Sequence, residues 1–322
     1  MKKGLFIFIV LLFGFMLLMA GCSGTDNGVE TDLQPDSDKV TSPPLPEMPI
    51  VITDQMGREV VIEEIPQRII SLSPSNTEIV FALGLGDRVV GVTEYCNYPA
   101  EALEKDIVGG FSTPNIEKII ELEPDLILAS TIHEEEVPRL EELGIPVMVI
   151  ESSTVADLFV SIQLVAIVAD VPEAGESLVS SMQDRINAVG SVVAEVDQDE
   201  KIKVYYEVYS DPVMTAGQGA FINEIITLAG GINIFGDINE NYPQVSAEVV
   251  AERQPDIILY PDYHGTADLV LDSMAGRPGW ESIPAIQNSR IQAASDDIFA
   301  RPGPRIVEAI EEAARLFYPE LF

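Results

Sequence analysis

The segment NIEKIIELEPDLILAS, residues 115–130, has a second copy in SAEVVAERQPDIILYP, residues 246–261. At this spacing Glu117 matches Glu248, and both copies share a Pro-Asp dipeptide followed by an apolar run. Two copies this far apart are too sparse for a solenoid, whose repeats recur every 20 to 50 residues. We therefore expect two halves of related design with a cleft between them.

Short apolar runs without polar alternation recur in both halves, which predicts strands covered on both faces. Helical patterns separate these runs, and strand alternating with helix is typical of parallel α/β units. The predicted strands are residues 68–73, 89–94, 125–130, 147–152, 203–209, 256–260 and 290–294. The predicted helices are residues 78–83, 116–122, 134–143, 221–228, 247–253 and 305–317.

Apolar residues at three- and four-residue spacing run from Val171 to Val196, and Pro172 suits a first helical turn. The sequence therefore predicts an α/β fold of two Rossmann-like lobes joined by a single long α-helix, with a ligand cleft between the lobes. The predicted limits are a signal peptide at 1–21, a lipidated Cys22 with a disordered tether at 22–49, an N-terminal lobe at 50–170, an interlobe helix at 171–197 and a C-terminal lobe at 198–322.

The N-terminus is typical of an export signal. Lys2 and Lys3 precede an apolar run from Leu5 to Ala20, which is shorter than the roughly 20 residues of a spanning helix. The following LLMAGC resembles the lipobox of bacterial and archaeal lipoproteins, which implies lipidation of Cys22 and an extracytoplasmic chain anchored to the outer face of the cell membrane. An uncleaved anchor with a buried thiol is the alternative.

Composition limits the partners. The formal net charge of −35 repels nucleic acid and anionic lipid at long range, and it fits a high-salt habitat or simple solubility. If Cys22 is lipidated, Cys96 has no partner for an intrachain disulfide. One cysteine and two histidines are a poor ligand supply for a structural metal site. The HExxH, GxSxG and P-loop motifs are absent from the sequence, which by itself is a weak argument against an enzyme.

Four segments carry a family resemblance: SLSPSNTEIVFALG at 71–84, VVGVTEYCNYP at 89–99, GGFSTPNIEKIIELEPDLILAS at 109–130 and NYPQVSAEVVAERQPDIIL at 241–259. They resemble the substrate-binding lipoproteins of ABC importers for corrinoids, ferric siderophores and haem, and within that group most resemble the vitamin B12 binders. The resemblance covers the chain from about Ile52 to its end. It implies a monomer that holds a metal chelate in its cleft, without catalysis or an intrinsic cofactor, and docks on a permease dimer with its ATPase subunits.

Glu117 and Glu248 match the two glutamates that dock each lobe of such proteins onto arginines of the permease. Each follows a predicted N-cap, Asn115 or Ser246, and therefore lies in the first turn of a helix. The alternative is a purely structural role, since an acid there stabilises the helix dipole by about 0.3 to 1 kcal/mol.

Cargo contacts are expected beyond the carboxyl ends of strands, where open α/β sheets bind ligands. By resemblance, Tyr95, Phe111 and Tyr242 match aromatic contacts of the B12 binders, although the family often has tryptophan at the last two positions. Asp296 resembles a ligand-contacting aspartate, in a loop one residue longer here. Flat aromatic walls suit a macrocycle.

Three further residues are candidates from the sequence itself. His133 and His264 occupy equivalent positions after the duplicated strands, so we expect both to face the cleft, where either could ligate the cobalt or iron of the cargo. Solvated loop histidines are the alternative. Arg301 could bind a carboxylate of haem or a siderophore, or pair with nearby acids.

The sequence therefore favours a corrinoid as the transported ligand, with a ferric siderophore or haem as the alternative within the same family. Two other classes remain open. An exported two-lobed α/β enzyme would need cofactor-binding cysteines or clustered acids at strand ends, and a sensory lipoprotein would bind the same cargo without a permease.

Overall fold

Two five-stranded β-sheets, one in each half of the chain, are joined by a long helix in the computed structural model, which describes residues 48–262, 273–274 and 276–322. Strands β1 and β2, and strands β6 and β7, form two small antiparallel sheets in the first half. In chain order the strands are β1 (Ile50–Thr53), β2 (Glu59–Ile62), β3 (Ile69–Ser71), β4 (Val89–Val92), β5 (Asp106–Ile107), β6 (Gly109–Gly110), β7 (Thr113–Pro114), β8 (Leu126–Ala129), β9 (Val147–Val149), β10 (Lys203–Ser210), β11 (Val213–Thr215), β12 (Ile232–Asn233), β13 (Ile257–Pro261) and β14 (Ile291–Ala294). The helices are α1 (Pro74–Ala82), α2 (Ile116–Glu121), α3 (Val137–Glu142), α4 (Val155–Val168), α5 (Pro172–Val193), α6 (Phe221–Leu228), α7 (Ala247–Arg253), α8 (Pro284–Gln287), α9 (Asp296–Phe299) and α10 (Ile306–Phe317).

The first sheet has the strand order β5-β4-β3-β8-β9, and all of its pairings are parallel. Successive residues of its strands point to opposite faces. Ile70 and Ile127 pack with residues of α2 and α3, whereas Ile69 and Leu126 belong to a second cluster with residues of α1 and α4. Helices therefore cover both faces, which explains the apolar runs without polar alternation.

The second sheet follows the same plan, with the order β11-β10-β13-β14 and β12 paired to β10. Only β11 is antiparallel among its described pairings. Tyr206 and Leu259 face α6 and α10, while Tyr205 and Ile258 pack on the other side with Val250 of α7.

Helix α5 joins the two halves. Its 22 residues extend about 33 Å at 1.5 Å per residue, and Pro172 occupies its first turn as predicted. Val179, Met182 and Val189 form a buried stripe that packs in one apolar cluster with residues of both sheets. The core is therefore continuous from one half to the other through α5.

The predicted fold class, two α/β units joined by one long helix, is confirmed. Helices α6 and α7 have the predicted limits, α5 ends at Val193 rather than at 197, and α4 was not predicted. The limits of the lobes stay a prediction. The predicted signal peptide, Cys22 and the tether up to residue 47 lie outside the described residues. Within the described part of the chain, no helix is both long and apolar enough to cross a membrane.

Candidate functional site

A cavity of about 460 Å³ lies where strands of the first sheet end. Its lining includes Ser73 after β3, Tyr95 after β4, Ser130 after β8 and Ile150 after β9. Because the carboxyl ends of parallel strands share one edge of a sheet, these four side chains converge although they are far apart in sequence. The second half contributes Asp296 and residues 300–302, so the cavity lies between the two halves.

Four of the predicted cargo contacts line this cavity: Tyr95, Phe111, Asp296 and Arg301. Tyr95 is half exposed, which leaves much of its ring accessible to a ligand. Tyr242 is equally exposed but lies on the loop before α7, outside the cavity lining. The structure therefore brings together two of the three predicted aromatic residues.

His133 does not face the cavity, and the prediction that it contacts cargo is wrong for this structure. Its imidazole is fully buried, Nδ1 accepts a hydrogen bond of 3.0 Å from the backbone N–H of Ser130, and Nε2 donates to the carbonyl of Phe111 at 2.6 Å. With both ring nitrogens engaged, neither can ligate a metal. His264, its counterpart, lies outside the described residues.

Arg301 lines the cavity but is already committed to neighbouring groups. One guanidinium nitrogen lies 2.5 Å from Asp297 Oδ1, another donates to Asn97 Oδ1 at 2.6 Å, and Glu78 lies at 4.0 Å. Asn97 in turn donates to Asp297. Arg301 therefore pairs with nearby acids, as the second alternative expected, and its binding of a cargo carboxylate stays a prediction.

A second arginine ties the two halves together beside this site. Arg305, at the N-terminus of α10, donates two hydrogen bonds of 2.6 and 3.0 Å to the carboxylate of Glu78 in α1. Its guanidinium also stacks over the ring of Tyr98, 4.0 Å from the centroid. Bidentate pairs of this kind are among the stronger charge-assisted contacts.

Burial raises the pKa of the Glu78 carboxyl above its ordinary value, although Arg305 and Arg301 oppose the shift. The carboxylate is almost fully enclosed, and Gly303 lies so close that an added Cβ would be 3.1 Å from Glu78 Oε2. The pair is therefore held in a largely buried contact between α1 and the segment before α10.

Cys96 lies beneath the cavity as a free, buried thiol. Thr77 donates a hydrogen bond to its sulfur at 3.1 Å, and the hydroxyl of Thr93 lies 3.2 Å away. Burial raises the pKa of this thiol, which keeps it protonated and unreactive.

Glu117 and Glu248 occupy matching positions on the surface. Both are exposed in the first turn of their helices, where Asn115 caps α2 through the N–H of Lys118 and Ser246 caps α7 through the N–H of Val249. Hydrogen bonds from the backbone N–H of Glu248 and from the Ser246 hydroxyl lower the pKa of the Glu248 carboxyl. Both carboxylates are free to meet an external cation.

Several lining residues were not predicted from the sequence. Ser130, Glu151 and Ser152 are the last residues of the predicted strands 125–130 and 147–152, so the same strand-end rule that selected Tyr95 could have found them. Ser73, Ser75 and Asn76 open α1, and their place in the lining follows from the packing of α1 on the sheet.

Comparison with known proteins agrees with this architecture. A sequence model described as "Periplasmic binding protein" matches residues 69–297. The uncharacterized ABC transporter substrate-binding lipoprotein YvrC of Bacillus subtilis is 30% identical over 328 residues, covering 100% of this chain and 99% of the relative. A vitamin B12-binding protein of Vibrio cholerae is 34% identical over 248 residues, covering 76% of this chain and 87% of the relative.

Solved structures show the same fold. The crystal structure of the periplasmic vitamin B12 binding protein BtuF of Vibrio cholerae superposes with a TM-score of 0.67 at 32% identity, over 79% of this chain and 98% of that one. The periplasmic heme-binding protein RhuT from Roseiflexus sp. RS-1 gives 0.71 at 28% identity, over 79% and 98%. The match over residues 69–297 and the likeness to YvrC along the whole chain show that this chain belongs to the periplasmic binding protein family of ABC importers.

Proposed function

We propose that this chain captures a corrinoid in the cavity between its halves and delivers it to the permease of an ABC importer. The observation that carries the proposal is the cavity itself, with the rings of Tyr95 and Phe111 in a lining that also contains several serine and threonine hydroxyls. Aromatic faces suit a flat macrocycle, and a few polar groups orient it. The 34% identity to a vitamin B12-binding protein supports the same cargo.

Haem or a ferric siderophore is the second candidate. The likeness to the haem-binding RhuT, with a TM-score of 0.71, favours it. Tyrosine and phenylalanine in place of the tryptophans common in B12 binders point the same way. Neither candidate requires catalysis, in keeping with a family of transport proteins.

Titration of the purified mature chain with cyanocobalamin, haemin and a ferric siderophore, followed by absorbance and intrinsic fluorescence, tests the cargo. Tyr95→Ala is expected to weaken cobalamin binding about three- to tenfold, the range expected for one lost aromatic contact. Phe322→Ala, an aromatic residue of similar exposure outside the lining, is the matched control. Tight binding of haemin without cobalamin binding would refute the corrinoid proposal.

Delivery rests on Glu117 and Glu248, which we propose dock the chain onto cations of the permease. Their exposure and their equivalent places in the two copies support this role. The double variant Glu117→Ala/Glu248→Ala should keep cargo affinity and abolish uptake. Glu121→Ala/Glu252→Ala, exposed on the same two helices, should leave uptake unchanged, and normal uptake by the first variant would refute docking.

We further propose that the chain acts as a monomer, with lobes at 50–170 and 198–322, anchored through a lipid on Cys22. Cys22→Ser should release the protein from cell membranes into the medium or periplasm. Continued membrane association of that variant would contradict lipid anchoring.

A further inference from the structure

We infer that the cavity selects its cargo by charge: it accepts neutral or cationic metal chelates and disfavours chelates with free carboxylates, with Glu151 as the main determinant. This inference rests on the proposed function, because it describes the chemical class of cargo taken by the same site. It goes beyond the choice between corrinoid and iron chelate, since each of those groups contains members of different charge.

The first observation is that the described lining residues of the cavity include no basic side chain without an acidic partner. Arg301 is the single basic residue in that set, and only 12% of its side chain is exposed. Its guanidinium is shared between Asp297 at 2.5 Å and Glu78 at 4.0 Å. A carboxylate on the cargo would have to compete with these two acids, and winning Arg301 would leave a buried carboxylate less well paired.

The second observation is the uncompensated charge of Glu151. Its Oε2 accepts hydrogen bonds from the backbone N–H of Thr131 at 3.2 Å and from the Thr131 hydroxyl at 2.9 Å. Both donors are neutral, so they orient the carboxylate towards the lining without cancelling its charge.

The surroundings of the cavity do not reverse this balance. Arg305 is paired with Glu78, and Arg277 is paired with Glu207 of β10 in the second half. With a formal net charge of −35 on the whole chain, the long-range potential also repels anions.

Corrinoids whose peripheral groups are amides fit this chemistry. An amide N–H can donate to Glu151, and the amide oxygen can accept from the serine hydroxyls of the lining. Replacing one amide by a carboxylate keeps the shape, removes a donor and adds a charge. At an effective dielectric constant near 20, a like charge a few ångströms from Glu151 should weaken binding by about tenfold or more.

The test uses cyanocobalamin and a cobalamin monocarboxylic acid, in which one peripheral amide has been hydrolysed, each titrated against the mature chain by fluorescence and absorbance. We expect the acid to bind about tenfold more weakly at low salt, with the difference shrinking as salt screens the repulsion. Glu151→Gln should narrow the difference, whereas Glu195→Gln, exposed near the end of α5 and outside the lining, should not.

Equal affinity for the two cobalamins, or a difference that Glu151→Gln leaves unchanged, would overturn the charge inference while leaving the corrinoid proposal intact. If neither cobalamin binds, the corrinoid proposal fails and haemin against its dimethyl ester decides the charge question. Tighter binding of the ester would support selection by charge, and equal or tighter binding of the diacid would overturn it.

Discussion

At the scale of single residues, His133 supports the wall of the cavity from behind. Its ring meets that of Phe111 edge to face, with 5.7 Å between centroids, and its Nε2 donates to the Phe111 carbonyl. The backbone N–H of Ser130 fixes the other nitrogen, so the ring has a single tautomer and orientation. Phe111 and Ser130 both line the cavity, and His133 therefore sets the position of two lining residues without itself belonging to the lining.

His133→Ala should lower the free energy of unfolding by about 1 to 3 kcal/mol per buried polar partner left unsatisfied. Cobalamin affinity should fall modestly, because Phe111 loses its support. The visible spectrum of bound cobalamin should not change, since His133 does not ligate the metal. A spectral shift in the variant would contradict this assignment, and urea titration measures the stability.

Glu78 should give the chain an unusual pH dependence. Because burial raises its folded pKa above the ordinary 4.5, the folded chain takes up this proton before the unfolded chain does as pH falls. The stabilising contribution is fully present below pH 4.5 and is lost as pH rises through the folded pKa. Relative to Glu78→Gln, the wild type should therefore gain unfolding free energy on acidification from neutral pH towards 4.5.

Glu311 is the control for this experiment, because its hydrogen bond to Arg185 lowers its pKa. Its contribution is present above the ordinary carboxyl pKa and is lost as pH falls through the lower folded value. Relative to Glu311→Gln, the wild type should lose stability below pH 4.5. Urea titrations measure the unfolding free energy of the wild type relative to each variant. If this difference changes with pH in the same direction for Glu78→Gln and for Glu311→Gln, the assignment for Glu78 is contradicted.

The contrast between Tyr95 and His133 shows what the sequence can predict about a site. Both follow a predicted strand, and the strand-end rule placed both near the cleft. The rule gives the position of a backbone segment but not the direction of its side chain. His133 belongs to a short helical turn, residues 131–133, that turns its ring inward, and only three-dimensional packing decides that direction.

At the scale of elements, the contact between α4 and α5 depends on Gly175. A Cβ added there would lie 2.6 Å from the Cβ of Ala166, which is closer than two carbons that are not bonded to each other can approach. Gly190, in the same helix, has open space around the equivalent position. Gly175 therefore allows α4 and α5 to pack closely, whereas Gly190 has no such role and only lowers the stability of the helix.

Gly175→Ala should destabilise the chain by about 1 to 3 kcal/mol, because the helices must separate. Gly190→Ala should stabilise it by about 0.5 to 1 kcal/mol, the usual gain for alanine over glycine within a helix. Thermal and denaturant unfolding of the two variants measure both effects. A gain in stability from Gly175→Ala would show that α4 and α5 can relax apart without loss.

Helices with a clear period or a recognisable start were predictable, and α4 was not. The sequence VADLFVSIQLVAIV is apolar nearly all round, so it has little period to distinguish a helix from a buried strand. A start signal was nevertheless present, since Thr154 and Asp157 form a reciprocal capping box. Helix α5 packs against α4 and removes part of its apolar surface from solvent, which explains how such an apolar helix is accommodated.

At the scale of the whole molecule, two kinds of contact connect the halves. The apolar cluster around α4 and α5 includes residues of both sheets, and it holds the halves together on the side of the linking helix. The pair of Glu78 and Arg305, with Arg301 and Asn97 beside it, holds them together next to the cavity. The opening of the cleft should therefore be governed by the charged contact, because the apolar one contains the covalent link.

The variant Arg305→Met tests whether the charged contact governs the opening of the cleft. Removing the guanidinium leaves Glu78, 2% exposed, without its bidentate partner, and breaking a buried pair from one side costs about 3 to 5 kcal/mol. Arg185→Met breaks a bidentate pair of similar geometry with Glu311, but those side chains are 41% and 24% exposed, so the cost should stay below about 1 kcal/mol.

The distance between the halves should also change more in Arg305→Met than in Arg185→Met. Spin labels on Glu101→Cys and Glu281→Cys, both exposed and in different halves, report that distance by pulsed electron resonance. The distribution should broaden in Arg305→Met and stay narrow in Arg185→Met, since only the first variant removes a contact across the cleft. If Arg305→Met keeps the narrow distribution while losing stability, the apolar cluster around α5 alone sets the angle between the halves, and the charged contact serves only to balance the buried charge of Glu78.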